Sequence, residues 1–420
     1  MNYKRFLGGV SAVLMIIVVV FMLTPEALAA SKYKTLYKFK GSKDGHEPFS
    51  GLIFDSVGNL YGITIYGGAS NAGTVFELMP TPTGWSESPL YSFTGGADGG
   101  NPQFECLIFD GSGNLYGTAP HGGAYGYGVV FELTPTSTGW TESVLYSFTG
   151  GADGGTPYAG LIFDAAGNLY STTWSGGAYS AGVVFRLAPN SDGSWTESAL
   201  YSFTGGSDGA ASDASLIFDS AGNLYGVTWG GGAYGWGVVF KLAPNSDGSW
   251  TESVLHQFKG DKNGAEPRAR LIFDSAGNLY GTTGNAYTYG YGIVFELVPN
   301  SHGTWTKHTL HQFTGGKDGA NPDGGLLFDL SGNLYGITPF GGADGYGVVF
   351  KLTPKSSGGW SYHVLHAFND KPGAYPYAGL IPDGAGTLYG TTVGQVVPDD
   401  GRGPEGNGTT NFGSVFEITP

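Results

Sequence analysis

The residues best suited to chemistry stand out because they interrupt a pattern. Around one recurring position, where other copies of a repeated string carry mostly small or aromatic residues, the chain has Glu105, Asp213, Arg268, Arg270 and Asp323. Carboxylates beside guanidinium groups can hold a hydroxyl-rich ligand through charge-assisted hydrogen bonds. Two carboxyls roughly 5–10 Å apart can also work as the acid and base of glycoside chemistry. Drift at exposed positions is the competing explanation. A second set is aromatic. The glycine-rich loop G-G-A-Y-G-Y-G carries Tyr125 and Tyr127, with His121 just before it, and equivalent stretches carry Trp174, Trp229, Trp236 and Tyr289. Aromatic plates beside carboxylates and amides suit sugar rings, which present C–H faces and hydroxyls. Packing of the same rings between neighbouring structural units is the alternative.

Other chemistries find no motif. H-E-x-x-H, C-x-x-C and the phosphate loop are all missing from the sequence. Cys106 is the single cysteine, so no internal disulfide can form. His256, His311 and His366 replace Tyr91, Tyr146 and Tyr201 of other copies. They fall on outermost strands of successive units, too far apart to share a zinc ion. Neither metal nor cofactor is expected. The formal net charge of −15 disfavours nucleic acid and anionic membrane surfaces.

The elements that position these residues come from a repeat. The string L-I-F-D-x-x-G-N-L-Y-G recurs with aspartates at Asp55, Asp110, Asp164, Asp219, Asp274, Asp329 and Asp383, always 54 or 55 residues apart. Around Asp164, apolar or alternating runs at 158–163, 169–173, 183–187 and 195–203 are separated by turn-forming residues. Four short strands per unit predict an all-β, seven-bladed β-propeller with four antiparallel strands per blade. Residues 33–39 carry the fourth-strand pattern ahead of any first strand, and the last copy ends after its third strand. The ring therefore closes when the N-terminal strand completes the last blade. In D-x-x-G-N the aspartate is expected to bond the turn backbone, and a calcium loop is the rival. A second turn-like set, G-x-x-D-G, holds Asp44, Asp98, Asp153, Asp208 and Asp318, with Asn263 in one copy. A ligand-facing acidic ring is the competing reading of that set.

The first 29 residues read as an export signal. Lys4 and Arg5 precede an apolar stretch from Phe6 to Leu23, and Ala27-Leu28-Ala29 supplies a cleavage site. Cleavage leaves residues 30–420 as a single propeller domain without a membrane span, expected to be a monomer. Retention of the apolar stretch as an anchor is the alternative. A long loop at 393–411, with Asp399, Asp400, Arg402 and Glu405, falls on the face that carries the aromatic loops.

Leu169-Tyr170-Ser171-Thr172, then Gly176-Gly177, then Gly182-Val183-Val184-Phe185 resembles the GloVer tandem repeat of exported bacterial choice-of-anchor proteins. That resemblance implies a secreted or surface protein and assigns no activity. Such proteins often carry a C-terminal anchor, and the expectation here is of none, because Pro420 directly follows a blade strand. The G-L-I-F-D-x-x-G-N-L-Y run is also similar to NHL-type and streptogramin-lyase-like propellers. The latter would imply a lyase with metal and histidine at the channel mouth, and no histidine stands at the matching positions. The resulting expectation is a secreted, non-catalytic propeller whose partner is carbohydrate or a surface protein, bound on its aromatic loop face. A polysaccharide lyase or hydrolase and a structural module are the alternatives.

Overall fold

The computed structural model describes residues 31–104, 107–262, 264–284, 290–369, 373–394 and 411–420. Among the described residues every regular element is a strand. The strands form seven sheets of four, each an antiparallel meander, and together they make the ring that the repeat predicts. The leader at 1–29, Glu105, Cys106, Asn263, Tyr289 and most of the loop at 393–411 lie outside the described residues.

The blade around Asp164 shows how one copy folds. Its strands are Ile162–Phe163, Leu169–Thr172, Val183–Pro189 and Trp195–Ser202. The second strand is buried along its whole length, Ser171 and Thr172 included, so it shows no in–out alternation. The fourth strand is the outermost and consists of partly buried residues interrupted by exposed Thr196 and Ala199. The first strand is shorter than the apolar run suggests, because only Ile162 and Phe163 pair with the second strand. Just upstream, Thr156 takes φ 56° and is followed by Pro157, which has no N–H to give a ladder. Thr156 instead donates its N–H to Tyr127 O in the preceding blade and accepts from Trp174 N in its own. Its equivalents Glu47, Asn101, Ala211, Glu266, Asn321 and Tyr375 share the positive φ and the same donation to the preceding blade. Seven strained residues are thus each held by an inter-blade hydrogen bond.

Blade joins are dominated by phenylalanine. One ring from the third strand meets, edge to face, a ring that follows the outermost strand of the neighbouring blade. The pairs run from Phe39 with Phe76 round to Phe368 with Phe416, with centroids 5.1 to 5.4 Å apart. Closure is made by Lys32–Lys38, which pairs antiparallel with Ser414–Thr419, placing Tyr33 opposite Ile418.

Both recurrent aspartate sets serve turns. Asp164 Oδ1 accepts from the N–H groups of Ala166 and Asn168, and Oδ2 accepts from Asn168 Nδ2 and Tyr170 OH. Those donors hold the Asp164 carboxyl below its ordinary range against the opposing effect of burial. In the D-G loops, Asp98 Oδ2 accepts from Thr94 N at 2.8 Å and from Tyr91 OH at 3.0 Å. Asp44, Asp153 and Asp208 repeat this arrangement. A ligand-facing acidic ring at these positions is therefore replaced by turn caps whose oxygens are already engaged. His311 takes the tyrosine's place at Asp318, with Nε2 3.3 Å from Oδ2.

Candidate functional site at the channel mouth

The strained residues and the prolines after most of them deliver one side chain per blade to the mouth of the central channel. In ring order these are Tyr377, Phe49, Phe104, Tyr158, Asp213, Arg268 and Asp323. Four consecutive blades contribute aromatics, and the next three contribute charge. Phe49 stacks on Tyr377 with centroids 4.4 Å apart and meets Phe104 edge-on at 5.1 Å. Phe104 meets Tyr158 at 5.7 Å, and Tyr158 meets Trp174 at 6.0 Å. Trp174 lies 5.4 Å from Trp229, and the Arg268 guanidinium rests over the Trp229 ring at 5.5 Å. A continuous aromatic belt therefore ends in a cation on its charged side.

The charged arc is unevenly satisfied. Asp213 is 3% exposed, and its Oδ2 stands 3.9 Å from Arg268, an ion pair too long for a hydrogen bond. Its Oδ1 has no hydrogen-bond partner. Burial pushes the Asp213 carboxyl up to about 7, against the pull of Arg268 and with a further push from Asp323. Burial likewise raises Asp323 to about 6, opposed by Arg268 and helped by Glu266. Glu266, on the strained position of the Arg268 blade, is raised by burial and held back by Arg268 and Trp229. Asp323 finds room because its neighbour is Gly284, where the two preceding blades carry Trp229 and Trp174. A Cβ at Gly284 would come 2.9 Å from Asp323 Oδ1. Phe49, Phe104, Asp213, Arg268, Asp323 and Tyr377 line one recess of about 20 Å³. Below it a cavity of about 140 Å³ is bordered by Gly51, Ser215, Arg270, Gly325 and Gly379.

The residues singled out in the sequence divide into three groups. Asp213, Arg268, Asp323, Trp174 and Trp229 come together at the mouth, with Arg270 one step deeper. His121 touches the belt from outside, its ring 6.5 Å from Tyr158. Trp236, Tyr127 and Tyr125 stand away from the recess. Trp236 covers Gly260 and Tyr127 covers Gly150 of the next blade, while Tyr125 is 61% exposed. Glu105 and Tyr289 fall outside the described residues. Phe49, Phe104, Tyr158 and Tyr377 were not singled out from the sequence, although they occupy the register of Asp213, Arg268 and Asp323. The blade of Phe104 has one extra residue between Pro102 and Leu107, and Phe104 takes φ 59° within that insertion. Among the described residues no group of three or more His, Cys, Asp or Glu is placed to hold a metal ion.

The repeat family named Gloeobacter/Verrucomicrobia repeat matches residues 17–217 and again 212–420. The chain belongs to that family. No curated protein matches this repeat protein. Solved structures resemble it as folds only. A putative oxidoreductase (glucose dehydrogenase) from Thermus thermophilus is 15% identical, with TM-score 0.45, covering 93% of this chain and 100% of that one. An ancestral GH74 enzyme is 12% identical, with TM-score 0.48, covering 89% and 51%. An α-L-arabinofuranosidase from Clostridium thermocellum is 10% identical, with TM-score 0.34, covering 61% and 91%.

Proposed function

We propose that this repeat protein is a secreted, non-catalytic binding propeller that takes carbohydrate, or a sugar-bearing surface polymer, at the channel mouth. One observation carries the reading. Tyr377, Phe49 and Phe104 line one recess with Asp213, Arg268 and Asp323, so apolar plates and hydrogen-bonding groups share its wall, and Tyr158 extends the aromatic arc beyond it. A sugar ring offers that same division, a C–H face and a hydroxyl rim. Export rests on the leader pattern. N-terminal sequencing of protein recovered from cells is expected to begin at Ala30, and a start at Met1 would refute cleavage.

A glycan array followed by calorimetric titration tests the binding. A selective hit that weakens at least tenfold in Phe49→Ala and in Tyr377→Ala, with unchanged Tm, supports the reading. A blank array, or a hit indifferent to both substitutions, removes it. Hydrolase or lyase activity is the second reading, favoured by the Asp213 carboxyl standing near 7, where it could donate a proton. Release of reducing ends or unsaturated products from a bound glycan, abolished in Asp213→Asn, would establish it.

A further inference from the structure

Resting on that carbohydrate reading, we propose that the ligand is a cationic saccharide, one whose sugar carries a free ammonium group that sits against Asp213. Three carboxyl groups, Asp213, Glu266 and Asp323, surround a single guanidinium, that of Arg268. Arg268 does not satisfy its neighbour. It rests over Trp229 at 5.5 Å and reaches Asp213 Oδ2 only to 3.9 Å. Asp213 Oδ1 is left buried with no donor, and Asp213 is one of the residues that line the recess together with Phe49, Phe104 and Tyr377. Leaving such an acceptor unsatisfied is destabilising, the more so when it is charged, so a ligand that donates to it is favoured there.

A neutral hydroxyl would satisfy the lone pair but not the excess negative charge. An ammonium does both, and in a recess partly closed to water its attraction to a carboxylate is stronger than in bulk solvent. The aromatic side of the recess accepts the same ligand. Stacked and edge-on rings take the C–H face of the sugar, and their faces are themselves attractive to cations. Arg268 disfavours a cation placed over Trp229, so the ammonium belongs on the Oδ1 side of Asp213. The Tyr158 hydroxyl pKa is raised first by burial and then by the charge of Asp213.

Three tetrasaccharides on one β-1,4-linked backbone separate the possibilities: the glucosamine oligomer, its fully N-acetylated form and the plain glucose oligomer. Titration calorimetry at neutral pH is run in low salt and in 0.5 M salt. The free amine is expected to bind at least tenfold tighter than either neutral oligomer. That advantage should shrink in high salt and disappear in Asp213→Asn, read as the ratio of amine to neutral affinity within that variant so that any change in the neutral affinity itself cancels. Equal or weaker binding of the amine beside measurable binding of a neutral oligomer overturns the proposal and leaves the carbohydrate reading standing. An advantage that persists in Asp213→Asn overturns it too, because Asp323, Glu266 or the acidic surface at large would then be the attractant. Binding of none of the three, with a blank array, overturns both.

Discussion

Four blade joins carry a carboxyl pair whose protonation should set the pH dependence of stability. Glu87, Glu142, Glu197 and Glu252 lie half-buried on outermost strands, against Asp44, Asp98, Asp153 and Asp208 of the preceding loops. Each is pushed up to about 7 from 4.5, first by burial and then by that aspartate. The folded state therefore holds protons that the unfolded chain has released between pH 4.5 and 7, and stability falls as pH rises through that window. The rise in pKa corresponds to about 3 kcal/mol per glutamate before screening. With solvent access discounted, about 1 kcal/mol each remains, or about 4 kcal/mol in all. Asp213 and Asp323, raised to about 7 and about 6, act in the same direction. His256 and His366, lowered by burial to about 4, and His311, also lowered, act in the opposite direction. A variant with all four glutamates changed to glutamine isolates the first effect, since the other groups are common to both proteins. Calorimetric Tm should match the parent near pH 4.5 and exceed it by about 5 °C at pH 7.5. A Tm difference that is the same at both pH values would refute the argument.

Two further outcomes follow from the blade joins. Gly260→Ala should destabilise by about 3 kcal/mol, because φ is +70° and the new Cβ would stand 2.2 Å from Trp236 Nε1. Gly205→Ala, with φ +77° and only Ala181 Cβ at 3.5 Å, should lose about 1 kcal/mol. Equal losses in urea unfolding would show that Trp236 does not depend on the glycine beneath it. Deleting Lys32–Lys38 exposes the Ser414–Thr419 edge and should lower Tm and promote association in light scattering. A monomer of parental Tm would contradict ring closure by that strand.

The fold is legible because its determinants are local and copied. Asp164, Gly167 and Asn168 specify their turn within a few residues, and seven recurrences report one unit. The mouth is legible only in part. Asp213, Arg268 and Asp323 attract notice as departures from the repeat, whereas Phe49 and Tyr377 lie near opposite ends of the chain and meet only because the ring closes. The loop aromatics are ambiguous for another reason. Trp229 and Trp236 share a residue type and a loop, yet one faces Arg268 and the other a neighbouring glycine. What separates them is the residue supplied by the next blade. The exchange at Lys307 is likewise intelligible only across a join: Lys307 stands where four other copies have glutamate, and its charge acts on His256 of the preceding blade.

Closure by Lys32–Lys38 also sets a timetable. That strand precedes every other strand of the ring in the sequence, and its partner, Ser414–Thr419, follows all of them. Throughout elongation it is an orphan with a free backbone edge, able to pair with any nascent sheet nearby. Its lysines at 32, 34 and 38 make such misplaced pairing unfavourable while it waits. The final join links the first and last strands of the ring, a pairing of very large sequence separation, so ring completion is expected after the other joins, and every earlier intermediate has one open flank.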